Sequence, residues 1–155
     1  MVQDFIHLHV ASALSMRYGT STPQDLVVRA AEFGQSAIAL VAEVSDQVVG
    51  FCMVLLPGAD YGSPNYEFFC ERLDNFVYLD RVAVTENFQG IGIGAALYRE
   101  VEMKTDAEWF ALEVNTKPRN EGSLRFHARE GFVQMEELET RPGKMVSLMV
   151  KKLKG

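Results

Sequence analysis

The chain has 155 residues, 48% of them hydrophobic, long enough for one well-cored domain and too short for two ordinary ones. A net charge of −6 and a pI near 5.1, with no run of lysine or arginine, argue against nucleic acid or an anionic membrane as partners. Cys52 and Cys70 are too few and too irregularly placed for a disulfide framework or a zinc site, and the early Asp4 with no basic flank or long apolar run suggests neither a signal peptide nor a membrane span, so a reduced, cytoplasmic setting is expected.

Residues 1–18 mix apolar residues with His7, His9 and Arg17 without a clear period. His7 and His9 are spaced to share one face of a strand, but two histidines fall short of a metal's ligand count, and no metal site is expected. Thr22-Pro23-Gln24-Asp25 predicts a helix entry, with Thr22 as cap, Pro23 at the first helical position and Asp25 near the dipole's positive end; Gly34 stops it. Residues 37–44 and 48–56 predict two strands joined by Ser45-Asp46-Gln47, an antiparallel hairpin. Residues 57–75 are the one long irregular segment and carry Tyr61, Tyr66, Phe68 and Phe69. An aromatic-rich loop of that length either covers an edge of the core or builds a pocket, and its place just before the next strand favours a pocket.

Residues 76–84 are largely aromatic and β-branched, predicting a strand buried on both faces and interrupted only by Asp80 and Arg81. Residues 85–88 make a turn. Gln89-Gly90-Ile91-Gly92-Ile93-Gly94 then opens a helix in which Ile93, Leu97 and Val101 form one apolar stripe. Residues 133–138 and 144–153, around Arg141-Pro142-Gly143, predict a second hairpin closing the sheet.

Glycine at a helix start has a physical reading. The N-terminus carries unpaired N–H groups and the positive end of the dipole, and residues without a β-carbon let an anion approach that backbone, so a phosphate-bearing ligand is expected. A Walker A loop would need Lys and Ser/Thr after its last glycine, where Ala95 and Ala96 stand. The dinucleotide fingerprint G-x-G-x-x-G/A is formally met by Gly90, Gly92 and Ala95, with Glu113 about 20 residues on. Its first glycine, however, belongs in the tight turn at the strand end, and here residues 85–89 intervene before Gly90. A third pattern, Q/R-x-x-G-x-G/A, is matched at Gln89, Gly92 and Gly94.

That pattern resembles the signature loop of the GNAT superfamily of N-acetyltransferases, which holds the pyrophosphate of acetyl-coenzyme A. W-F-A-L-E-V-N at residues 109–115 is similar to the family's next strand, and N-E-G-S-L-R-F-H-A-R-E-G-F at residues 120–132 to its following helix, which commonly ends F-Y-x-x-x-G-F. The resemblance covers residues 76–132, and the flanks by compatible pattern. G-A-D-Y-G-S-P-N-Y at residues 58–66, with L-D-R-V-A-V and G-S-L-R-F-H, further resembles a group of small predicted acetyltransferases. The resemblance implies an α/β fold of the GNAT type: one domain over residues 1–155, with a mixed, mostly antiparallel sheet of six or seven strands and helices on both faces. The two strands before the two C-terminal helices should splay to admit the coenzyme. It further implies acetyl transfer from acetyl-CoA to a primary amine, on a small molecule or a peptide, by direct attack in a ternary complex. Val82, Ala83 and Val84 would offer their backbone to the pantetheine arm and thioester. Gly90, Ile91, Gly92, Ile93 and Gly94 would hold the pyrophosphate with Gln89 beside them, Asn120 and Ser123 would line the coenzyme, and Phe126 would pack on the arm. The first stretch would help shape the acceptor site.

Acetyl transfer needs the amine deprotonated, the carbonyl polarised and the departing thiolate protonated. Glu113 shares a strand face with Trp109, Ala111 and Asn115, and a charge midway along a buried strand must be paired, neutralised or turned to a cleft. Some family members that acetylate protein N-termini carry a catalytic glutamate in a similar L-E-V context. Asp80, on the face of Tyr78 and Val82, is the rival base, or else half of a salt bridge with Arg81 or Arg72. Where the family has tyrosine after phenylalanine, this chain has Phe126-His127. A histidine must be charged or use its N–H to act as acid, so His127 is either the acid or a packed helix residue, and Tyr61, Tyr66 or Tyr78 are the alternative phenols. Two other readings stay open, a non-catalytic coenzyme A-binding regulatory module and a nucleotide-binding Rossmann fragment, as does a homodimer formed through the terminal hairpin.

Overall fold

The structure, a computed structural model, describes residues 7–10 and 37–154. The helix expected from Thr22 to Gly34 lies outside the described residues. In chain order the elements are β1 His7–Val10, β2 Ala37–Val44, β3 Gln47–Leu55, α1 Pro64–Cys70, β4 Phe76–Val84, a 3-10 turn Glu86–Phe88, α2 Ile93–Lys104, β5 Trp109–Lys117, α3 Glu121–Arg129, β6 Val133–Arg141 and β7 Lys144–Lys152. The strand order is β1-β2-β3-β4-β5-β7-β6. The β1–β2, β2–β3, β5–β7 and β6–β7 ladders are antiparallel and the β4–β5 ladder parallel. This is the mixed, mostly antiparallel sheet expected, and it removes the Rossmann reading, which requires a mostly parallel sheet.

Two compact units divide the chain. The first comprises residues 1–59 and 80–106. Its hairpin closes on Ser45 and Asp46, both left-handed with φ 49° and 62°, so Gln47 pairs with Val44 as the first residue of β3 rather than sitting in the turn. Residues 49–55 of β3 are buried without alternation, the mark of a strand covered on both faces. Ala42 pairs with Gly50 and Glu43 with Val48, which makes Val49 the extra residue of a β-bulge. Its carbonyl accepts from Thr85 N–H at 2.8 Å and so ties the end of β4 to β3. The stripe Ile93, Leu97 and Val101, joined by Tyr98, is fully buried, and α2 packs on β2 and β3.

The second unit comprises residues 60–79 and 107–155. Phe76, Val77 and Tyr78 pair with Trp109, Phe110 and Ala111, and both strands run on beyond that ladder. Tyr66 and Phe69 of α1 stack on Phe76 and Tyr78, one face of β4. On the opposite pleat of β5, Phe110 meets Phe132, and Phe132 meets His127 of α3, so helices cover both faces here. β6 is an edge strand, exposed along almost its whole length.

Three expectations need correction. Residues 57–75 are not irregular throughout, because α1 occupies Pro64–Cys70; Ser63-Pro64 is the same cap-plus-proline signal that marks Thr22-Pro23. β4 is buried on both faces only over its first four residues, and from Asp80 onward its residues are half-buried or exposed, although the Asp80 side chain itself is covered. The helix after the glycine turn starts at Ile93, not Gln89, because Gly90 and Gly92 have φ of 76° and 96°, which no right-handed helix accommodates.

Candidate active site

In the first unit, β4 ends in a turn built to present backbone. Gln89 donates from its side-chain amide to the Val84 carbonyl at 3.0 Å, which clamps the far end of the 3-10 turn to the strand. Gly90 and Gly92 are left-handed, and a β-carbon on either would meet nothing within 4 Å. Backbone conformation, not crowding, therefore demands glycine there. Gly92 is the N-cap of α2 and offers no side-chain cap, and the first turn of the helix holds no acidic residue. The result is a twelve-residue helix whose N-terminal amides and dipole face an open, uncrowded approach, a fit for an anionic group. Just upstream, residues 48–51 and 83–85 line a pocket of about 180 Å³, too small for a whole ligand but beside the backbone of Ala83 and Val84. Val82 and Val84 are half-buried there and Ala83 exposed.

The second unit gathers the polar groups. Tyr78, 1% exposed, donates its phenolic proton to Glu113 Oε2 at 2.5 Å. Burial, and then the negative charge of Glu113, push the Tyr78 phenol far above its usual range, so it stays a donor at any working pH. Tyr61 and Tyr66 complete the cluster, with ring centroids 6.1 and 5.3 Å from Tyr78 and 5.6 Å from each other. Glu113, which accepts from the Tyr78 at the centre of this group, is half-buried.

Asp80 takes the salt-bridge alternative. Its side chain is only 2% exposed, and Oδ2 accepts from Arg81 Nε at 2.7 Å. Arg72 is engaged elsewhere, with Glu71, the Phe68 carbonyl and the Phe68 ring.

On α3, Asn120 caps the helix by accepting from Ser123 N–H at 3.1 Å. His127 is 3% exposed, and its Nδ1 lies 2.8 Å from the Ser123 carbonyl oxygen and 3.2 Å from Ser123 Oγ. A carbonyl only accepts, so Nδ1 carries the proton and the neutral ring has none on Nε2. Burial lowers the His127 pKa, outweighing the bond to Ser123, so the neutral form prevails near pH 7. Strand β5 also stands between it and Glu113, since the residues of the Phe110 pleat face α3 and Glu113 belongs to the other pleat. Among the described residues no cluster of His, Cys, Asp and Glu could hold a metal ion.

The sequence profile of the Acetyltransferase (GNAT) family matches residues 6–132. The chain belongs to that family. It is therefore an acyltransferase, with acetyl-CoA as its donor. No curated protein matches it significantly. Solved structures share the fold. An acetyltransferase of the GNAT family from Streptococcus pneumoniae has TM-score 0.65 at 14% identity, covering 96% of this chain and 99% of that one. A GNAT family acetyltransferase from Elizabethkingia anophelis, with acetyl-CoA bound, has TM-score 0.63 at 16% identity over 95% and 97%. Naa20 from Chaetomium thermophilum, in complex with a bisubstrate analogue, has TM-score 0.64 at 20% identity over 86% and 74%.

Within this GNAT chain the structure brings Tyr61, Tyr66, Tyr78 and Glu113 together and keeps His127 apart from them. Phe126 and Ser123 are half-buried on α3, and Phe126 lies edge-on to His127. Sequence reasoning missed Gly50, where a β-carbon would press on Ile93 and on the Ala83 carbonyl; the only available signal was a glycine inside a strand pattern. No helix among the described residues is long and apolar enough to cross a membrane.

Proposed function

We propose that this GNAT enzyme is a single-domain N-acetyltransferase that moves the acetyl group of acetyl-CoA to a primary amine, on a small molecule or a peptide, by direct attack in a ternary complex. The observation that carries the proposal is the Tyr78–Glu113 hydrogen bond, a half-buried carboxylate held by a buried phenolic donor on the neighbouring strand. Glu113 acts as base and takes the proton of the attacking ammonium. Tyr78 fixes the carboxylate and favours its ionised form by donating to it. The amine nitrogen then bonds to the thioester carbon as the carbon–sulfur bond breaks, and the surplus proton on that nitrogen passes through solvent to the departing thiolate, because the proton of His127 is directed at its own helix. Tyr61 and Tyr66 form the wall on the acceptor side.

The backbone of Val82, Ala83 and Val84 is the proposed seat of the pantetheine arm. The amides of residues 90–94 take the pyrophosphate, with Gln89 bracing the turn, and Asn120, Ser123 and Phe126 flank the coenzyme. Direct attack is favoured over an acetyl-cysteine intermediate. Cys52 is fully buried, with its thiol pushed up to about 12, and thiolate, not thiol, is the nucleophile. The family match spans both compact units, which supports one functional domain.

The test is coenzyme A release from acetyl-CoA with a panel of small primary amines, lysine peptides and peptides with an unblocked N-terminus. Turnover with an amine class, abolished in Glu113→Gln, is the expected result. Saturable acetyl-CoA binding with no amine acetylated would overturn the proposal in favour of a coenzyme A-binding module.

A further inference from the structure

Packed strands leave few gaps larger than a water molecule. In the first unit, residues 48–51 of β3 and 83–85 at the end of β4 leave a hollow of about 180 Å³. Three local choices make it. Val49 is the extra residue of the β-bulge, and an extra residue bends its strand away from the regular pleat. Gly50 brings no side chain, and Ala83, exposed on the facing strand, brings a single methyl group. The two strands are nonetheless tied at this point, since Thr85 N–H donates to the Val49 carbonyl at 2.8 Å, so the hollow is not a frayed end. Its lining decides what it can take. Among the described residues around it, Val48, Val49, Phe51 and Val84 offer hydrocarbon, Thr85 supplies the one side-chain hydroxyl, and no side chain is charged. A charged group would lose water there with nothing to pair it, whereas a methylene gains from burial. A water's share of the liquid is ~30 Å³, so the volume suits a chain of several carbons.

We infer that this hollow is a subsite for the hydrocarbon chain of acyl donors longer than acetyl, so that the enzyme also transfers propionyl and butyryl groups from their coenzyme A thioesters. The inference rests on the proposed seat of the pantetheine arm at Val82, Ala83 and Val84, the last two of which line the hollow. The chemistry is that of acetyl transfer. The amine nitrogen bonds to the acyl carbon, the carbon–sulfur bond breaks, the surplus proton on nitrogen passes through solvent to the thiolate, and the products are the N-acyl amide and free coenzyme A. Acetyl carries one methyl group beyond its carbonyl and leaves most of the hollow empty; a longer chain fills it. Hydrocarbon could also come from the paired methyl groups of the pantetheine arm itself. Those are present in every coenzyme A ester, so dependence on chain length separates the two sources.

Titration calorimetry with coenzyme A and its acetyl, propionyl, butyryl and succinyl thioesters is the test, and it needs no acceptor amine. Affinity rises from acetyl to butyryl by up to about fourfold per methylene. Succinyl, which has the carbon count of butyryl but ends in a carboxylate, gains nothing. Two variants fill the hollow from its rim, Thr85→Phe at an exposed position and Val48→Phe at a half-buried one. In each, the ratio of butyryl to acetyl affinity falls to about one, the gain of burial being lost. Butyryl-CoA, given any amine that the enzyme acetylates, yields an amide heavier than the acetyl product by two methylenes, read by mass spectrometry. A wild-type affinity that is flat or falls from acetyl to butyryl overturns the inference. So does a butyryl preference that survives both fillings, or butyryl-CoA that binds but is not used with an amine that is acetylated. Equal loss of affinity for coenzyme A and every ester in the filled variants, without a chain-length gain in wild type, assigns the hollow to the pantetheine methyls and also overturns it. Acetyl-CoA that binds with no amine acetylated instead overturns the proposed transfer, and the chain-length series still decides what the hollow holds.

Discussion

A β-carbon at position 50 would stand 3.1 Å from Ile93 Cγ2, 3.2 Å from the Ala83 carbonyl oxygen and 3.4 Å from Val84 Cγ2. Ile93 is 1% exposed and β-branched, so it has little room to turn away, and the Ala83 contact is backbone. Gly50→Ala must therefore push β4 outward where the pantetheine arm is proposed to lie. Overpacking of this kind costs about 1–3 kcal/mol. The lost flexibility of the unfolded chain returns about 0.4–1 kcal/mol, leaving a net cost of up to about 2.6 kcal/mol. For a chain of this size each kcal/mol lowers Tm by about 2–4 °C, so Gly50→Ala should melt lower by up to about 10 °C. A carbonyl displaced by a few tenths of an ångström should also weaken acetyl-CoA binding by ~5-fold, about 1 kcal/mol. Thermal unfolding and titration calorimetry with acetyl-CoA read the two effects. A variant that melts at or above wild type and binds acetyl-CoA as tightly would refute the claim that Gly50 sets the position of this strand end.

At Gly92 the cost is pure backbone. With φ at 96° and open space around the position, Gly92→Ala should lose about 1–2 kcal/mol of stability and weaken acetyl-CoA binding, seen by the same two methods. Glu113→Gln should lower kcat about 10²–10⁴-fold with acetyl-CoA binding intact, the range for removal of a general base. Tyr78→Phe removes a hydrogen bond to a charged group worth about 1.5–3 kcal/mol, visible in the denaturation midpoint. His127 gives a pH signature. Its folded pKa lies below the ordinary histidine value of 6.5, so on acidification the unfolded chain takes up the proton first, and the stabilising contribution present above 6.5 is lost as pH falls through the folded pKa. Wild type should therefore lose Tm below pH 6.5 more steeply than His127→Phe, and parallel curves would show that this histidine does not titrate with folding.

The glycine turn was the most legible part of the site, because its constraint is local. Left-handed φ at Gly90 and Gly92, an open helix start and the stripe Ile93, Leu97 and Val101 all act within a dozen residues and leave their mark as residue type and spacing. The Asn120 cap is legible for the same reason, its partner being three residues away. The hairpin strands were placed to within a residue at most ends by alternation and turn residues. The helix start came four residues late, because the left-handed Gly90 and Gly92 keep the backbone out of the helix.

The sequence by itself therefore determined the fold class, the family and the place of the glycine turn, all of which rest on short-range periodicity and glycine conformation. Tertiary structure alone decided the partners. Glu113 finds Tyr78 across 35 positions, a pairing that depends on the parallel register of β4 and β5. Asp80 was the rival base and His127 the candidate acid on sequence, and only the structure shows Asp80 bonded to Arg81 and His127 Nδ1 bonded to the Ser123 carbonyl of its own helix. The reason is physical: composition reveals which groups must be satisfied when buried, but the satisfying group is chosen by strand register and helix docking, which are set by packing over the whole sheet.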